Sequence, residues 1–225
     1  MTRSEIITRF REENPEITSN VASDTVLRSW CKEGNVQVCT MARLIVATGT
    51  ITAVTTTALA TRDSQYDLTS NFTKFFDVDE SIGGGVSFYV SSSNVKRLKK
   101  LSKAELDDLR PNWKTQSTGT PKNYFRRGKY LNLDPAPNSA NTIYVDYVAL
   151  PDDFDDDAKT PYNQLTHLAP FHYGIVKYLV WQAKAKVGKP EERQNAKIEF
   201  EEYIRWIIRE IGGGKNSRIY FRPVI

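Results

Sequence analysis

Five aspartates fall within the six residues Asp152-Asp153-Phe154-Asp155-Asp156-Asp157, and carboxylates are the side chains that hold hard cations. Charges this close ionise only when water, cations or basic neighbours offset their repulsion. A calcium loop would need a glycine at its sharp turn and a bidentate glutamate at its end. This run has neither and continues as Ala158-Lys159-Thr160-Pro161. It is therefore expected to be a solvated linker, and no metal or cofactor is expected. A metal-dependent hydrolase is the competing reading, under which Asp155 would hold a divalent ion.

The remaining chemistry-bearing residues are few. His167 and His172 are the only histidines. Five residues apart on a continuous helix, they would point about 140° away from each other and could not share an ion. The triple glycines at 83–85 and 212–214 do not complete the lysine-and-helix pattern of a phosphate cradle, and no nucleophile elbow or GxGxxG occurs. An enzyme is not expected. Cys31 and Cys39 lie in helical sequence without CxxC spacing, which predicts reduced, buried thiols.

Cations cluster in two places. Lys96, Arg97, Lys99, Lys100 and Lys103 form one group, and Tyr124-Phe125-Arg126-Arg127-Gly128-Lys129-Tyr130 mixes cations with aromatics. This is the composition of a nucleic-acid surface. Alternation along a strand gives a similar pattern, with aromatics in the core and cations in water. A nucleic-acid-binding module using 96–103 and 124–130 is the alternative function. The net charge of +4 on 225 residues is too small to decide the matter.

These residues must be positioned by a folded core, which 40% apolar and 26% charged residues permit. Charges throughout MTRSEIITRFREENPEI argue against a signal peptide or membrane anchor, and no later run is apolar enough to span a bilayer. SEIITRFREENP reads as a short amphipathic helix with Ile6, Ile7 and Phe10 on one face, a Ser4 cap and a stop before Pro15. SDTVLRSWCKEGN reads as a second, capped by Ser23/Asp24 and closed by Gly34, with a third through VQVCTMARLI. After Gly49, Thr-rich and aromatic sequence predicts strands. Within it, Ser102 and Glu105 are spaced as the capping box of a short helix that Pro111 ends. YFRRGKYLNL and TIYVDYVAL read as two paired strands joined by DPAPNSAN.

The last third returns to helix. Leu168, Phe171, Ile175, Tyr178, Leu179 and Gln182 share one face. Ala196, Phe200, Tyr203, Ile204, Ile207 and Ile211 share another, behind Pro190 and Glu191-Glu192. The short link VGKP makes them an antiparallel hairpin. The reading is thus α+β and mostly helical, with an inserted antiparallel β module and an extended C-terminal tail. Its divisions are 1–48 for the N-terminal helices, 49–151 for the β module, 152–211 for the acidic linker and hairpin, and 212–225 for the tail.

In this order of elements the chain resembles the head-to-tail adaptor proteins of tailed bacteriophages, the ring bound beneath the portal. Gly119-x-Pro121-x-x-Tyr124, GKYLNL leading into Asp134-Pro135-x-Pro137, IYVDYVALP and the hairpin with AKIEFEEYI carry the resemblance. It implies a structural virion protein in the neck, assembled in the host cytoplasm as a ring, commonly of twelve copies. Such a ring extends the DNA channel and serves as the platform for the tail. The implied partners are the portal protein, tail or nozzle proteins, further copies of the chain and, transiently, viral DNA, with no membrane. On this reading Arg218, Ile219, Tyr220, Phe221 and Arg222 contact the portal or a neighbouring copy. Lys96, Arg97, Lys99, Lys100, Arg126 and Arg127 approach DNA or an interface, and Asp155, Asp156 and Asp157 face basic residues of a neighbour. Trp30 and Trp206 suit lateral packing in a ring.

Overall fold

The computed structural model describes residues 1–52, 66–80, 85–91, 94–113, 117–187 and 189–212. The fold is α+β, with two compact units: Met1–Ile45 together with the chain from Leu150 onward, and Val46–Ala149.

The first unit is helical. Helix α1 (Arg3–Glu13) is capped by Thr2, whose side chain accepts from the Glu5 amide while Glu5 reaches back to the Thr2 amide. The capping box thus starts two residues before the expected Ser4. Helix α2 (Asp24–Ala42) starts at the expected Ser23 but runs on for 19 residues, joining the two helices expected on either side of Gly34. Gly34 is therefore not a cap. A Cβ on it would lie 2.9 Å from Tyr178 Cδ1 and 3.2 Å from Ile175 Cγ2, so the glycine lets two helices approach closely. The left-handed terminator is Arg43, at φ 53°.

Helices α5 (Tyr173–Val187) and α6 (Pro190–Ile211) pack on each other, and α5 also packs on α1 and α2. The pairs Tyr173–Tyr203, Lys177–Glu199, Tyr178–Phe200 and Lys184–Glu192 run in opposite directions along the two helices. The hairpin is accordingly antiparallel. Ala196, Phe200, Ile204 and Ile207 of α6 are buried, whereas Ile211 is exposed. The helix expected from Leu168 onward is broken: Thr166–Phe171, which contains Pro170, forms a 3-10 turn before α5 begins. Ahead of it Tyr162, Asn163 and Gln164 all take left-handed φ of 55–59°. This costly conformation is held by the Asn35 side chain, which accepts from the Tyr162 amide, and by the Asp152 amide, which donates to Asn163 Oδ1.

The second unit has two sheets. In the first, β1 (Val46–Thr52), β9 (Thr142–Ala149), β4 (Val86–Ser91) and β5 (Asn94–Arg97) lie in that order, and β3 (Phe75–Val78) also pairs with β9. In the second, the order is β2 (Tyr66–Asp67), β8 (Tyr130–Asp134), β7 (Asn123–Arg127) and β6 (Lys99–Lys100). Two short helices complete the unit, α3 (Leu68–Asn71) and α4 (Lys103–Leu109), the latter with the expected Ser102/Glu105 capping box. Ile51, Val78, Val86, Ile143 and Val145 of the first sheet and Tyr124, Leu131 and Leu133 of the second share one core. On the other side of β7, Phe125 packs with Leu101, Leu106 and Trp113. Both faces of β7 are thus covered, and its adjacent aromatics are both buried.

The strand pairing differs from the sequence reading. YFRR and YLNLD form a hairpin with each other across Gly128-Lys129, where Gly128 takes φ 58°, a turn conformation suited to glycine. TIYVDYVA belongs to the other sheet, where it pairs with β1, β3 and β4.

Candidate functional site

The acidic run is built into the first unit. The amides of Arg3 and Ser4, which lack partners within α1 because they stand at its start, donate to the carbonyls of Lys159 and Asp157 at 3.0 and 3.1 Å. Arg3 is only 5% exposed. Its Nε donates to Asp157 Oδ1 at 2.7 Å and its Nη1 to the Phe154 carbonyl at 2.9 Å. Arg28 of α2 meets the same carboxylate, with Nη2 2.7 Å from Oδ2. One aspartate therefore pairs with two arginines, and together they hold its carboxyl below the usual carboxylate range, Arg28 contributing most. Phe154, the one apolar residue of the run, is buried. Asp155 pairs with Lys159 at 2.6 Å, and Asp156 Oδ1 accepts from the Ala158 amide. The run is a clasp across α1 and α2 as well as a linker, and the expectation that Asp157 faces a neighbouring copy meets a carboxylate already engaged within its own chain.

No group of three metal-ligating side chains occurs among the described residues. His167 lies exposed within the 3-10 turn Thr166–Phe171, and His172, the residue that caps that turn, is buried. Burial pulls the His172 imidazole down to about 4, assisted by the Met1 amino group 2.7 Å from Nδ1. Cys31 and Cys39 are unbridged and buried, and burial pushes both thiols up to about 12.

The basic stretches separate into different roles. Arg126 points to the same side of β7 as Tyr124, pairs with Asp77 of β3 and lies over the Phe75 ring. It is committed to joining the two sheets. Lys100 pairs with Glu80 at 2.7 Å and Lys129 with Asp67 at 2.6 Å. Lys96, Arg97, Lys99 and Arg127 are exposed as well. Trp206 packs edge-on to Phe171 and against Tyr203 while remaining 38% exposed. Trp30 is buried beneath Lys186. Arg218, Ile219, Tyr220, Phe221 and Arg222 lie outside the described residues.

Sequence reasoning missed Asp134. Only 1% exposed, it meets Arg110 Nη1 at 3.4 Å and Asn123 Nδ2 at 3.3 Å, and its Oδ1 has no hydrogen-bond partner. It stands where the proline motifs meet: the Gly119 amide donates to the Ala136 carbonyl and the Lys122 amide to the Asp134 carbonyl. Its only sequence signal was its place before Pro135 in Asp134-Pro135-x-Pro137.

The helical unit is closed by the acidic clasp, and the two-sheet unit is inserted in its chain. The sequence profile of the SU10 adaptor protein family matches residues 1–219. The chain belongs to this family of phage head-to-tail adaptors, which are structural proteins of the virion. No curated protein matches the chain. No helix among the described residues is long and apolar enough to cross a membrane.

Proposed function

We propose that the chain assembles as a ring on the portal at the virion neck, with the portal's symmetry and commonly twelve copies, where it extends the DNA channel and serves as the platform for the tail. The reading rests on the family match, which spans 1–219 and so runs through both units. The exposed apolar side chains Val187, Ile198, Trp206 and Ile211 of the helical hairpin support it, since such side chains suit contacts between subunits. Transient DNA contact falls to Lys96, Arg97, Lys99 and Arg127 rather than Arg126, and must be weak enough for DNA to pass. Assembly takes place in the host cytoplasm.

Mass photometry of the purified chain, alone and mixed with the portal protein of the same phage, tests this. The expected result is saturation of the portal by a ring-sized mass. A chain that ignores the portal but shifts on adding DNA, in a salt-sensitive way that Lys99→Ala weakens, would favour the nucleic-acid module instead.

A further inference from the structure

The edges of the two sheets are dressed differently. Strands β5 and β6, at one edge of each sheet, carry Lys96, Arg97, Lys99 and Lys100, the kind of dressing that keeps an exposed edge from pairing. Strand β1, the opposite edge of the first sheet, reads Val46-Ala47-Thr48-Gly49-Thr50-Ile51-Thr52, without a charge or a proline. All seven residues pair with β9 on one side, and among the described residues no strand lies on the other. Alternate backbone amides and carbonyls there are turned outward, which makes a template about 23 Å long for another strand. Val46, Thr48, Thr50 and Thr52 are exposed, and Thr48 donates to the Asp146 carboxylate at 2.7 Å, so an acidic group stands one strand in from the edge.

The C-terminal sequence GGKNSRIYFRPVI has matching chemistry. Ile219, Tyr220 and Phe221 favour strands, Arg218 and Arg222 flank them within reach of a carboxylate, and Pro223 ends the pairing because it has no amide to donate. Thirteen residues follow Gly212, enough to reach about 45 Å when extended. We infer that the C-terminal segment of one copy adds as a further strand to β1 of another. The inference rests on the ring reading and deepens it: the tail and the β1 edge are different surfaces, so the contact is head-to-tail, the type from which rings close.

The test uses full-length chains. Thr50→Cys and Tyr220→Cys proteins are mixed with portal, treated with a short bismaleimide and read on a denaturing gel. The buried native cysteines, with thiols pushed up to about 12, stay silent. Cross-linked dimer should exceed that from a Lys99→Cys and Tyr220→Cys mixture at least tenfold. Adding Thr48→Lys to the Thr50→Cys chain, which neutralises Asp146 and gives β1 the guard of the other edges, should reduce the product by a similar factor. Product no greater than the Lys99→Cys control, in samples where mass photometry shows rings, overturns the inference and leaves the ring standing. Absence of both rings and product removes the ring reading and the inference with it. A third chain carrying both Thr50→Cys and Tyr220→Cys that cross-links only within itself would put the tail on its own β1 and overturn the contact between copies.

Discussion

Asp157 closes two arginines with one carboxylate, and Arg3 is the more demanding of them because it is buried. Replacing Asp157 with Asn should lower the Tm of the helical unit, whereas Asp156→Asn, whose carboxylate meets only a neighbouring amide, should leave it nearly unchanged. Differential scanning calorimetry of the two variants side by side reads the difference. His172 adds a pH dependence of its own. The folded protein takes up its proton at about 4 and the unfolded chain at about 6.5, so between these values the unfolded state holds more protons. Stability therefore falls as pH falls through that window. Asp157, whose folded value is depressed, gives up its contribution only below the ordinary carboxylate value of 3.8. His172→Gln should flatten the Tm profile between pH 6.5 and 4 while leaving the steeper acid loss below it. The sequence revealed that the aspartates had to be offset, since five carboxylates demand partners. It did not reveal which partners, because Arg3 and Arg28 stand 154 and 129 residues away in the chain.

Helix α2 is where local rules and packing disagree most clearly. A glycine followed by Asn reads as a stop, yet the helix continues because Gly34 faces Tyr178 and Ile175 of α5. Helix propensity alone predicts that Gly34→Ala stabilises by about 1 kcal/mol. The contact distance of 2.9 Å predicts the opposite, a net loss of about 1–3 kcal/mol from overpacking. Denaturant titration of Gly34→Ala decides the sign. Helices α1, α4 and α6 were legible because caps, periodicity and proline act within a few residues. Strand partners were less so. YFRRGKYLNL conceals a hairpin whose turn is only Gly128-Lys129, and the longer DPAPNSAN looked more like a connection although its ends enter different sheets. Alternation also failed as a guide to β7, because it presumes one wet face and this strand is covered on both.

At the scale of the molecule, the second unit enters and leaves by neighbouring strands. Val46 and Val148 are cross-strand partners, a separation of about 5 Å. Residues 46–149 made alone should therefore fold cooperatively, with a β-type circular dichroism spectrum. A chain joining Ile45 to Leu150 through about three Gly/Ser residues, long enough for that gap, should keep the helical spectrum and a single melting transition. Failure of either piece to fold would mean that the units depend on each other. The family was legible from the order of elements and the proline-bounded turns, which are local in sequence. The edge composition that sets β1 apart became meaningful only when the sheet order showed which strands are outermost.

The discontinuity of the helical unit also sets an order of events during synthesis. The α5 face on which α1 and α2 pack and the carbonyls that complete the start of α1 lie beyond residue 150, and an 11-residue helix is too short to persist alone in water. At about 5–20 residues per second, the ribosome needs about 10–30 s to supply them. Meanwhile the 46–149 segment emerges with all of its own strands. The helices made before the 46–149 segment are thus finished after it, and for that interval Ile6, Phe10, Leu27 and Val38, all buried in the end, face water.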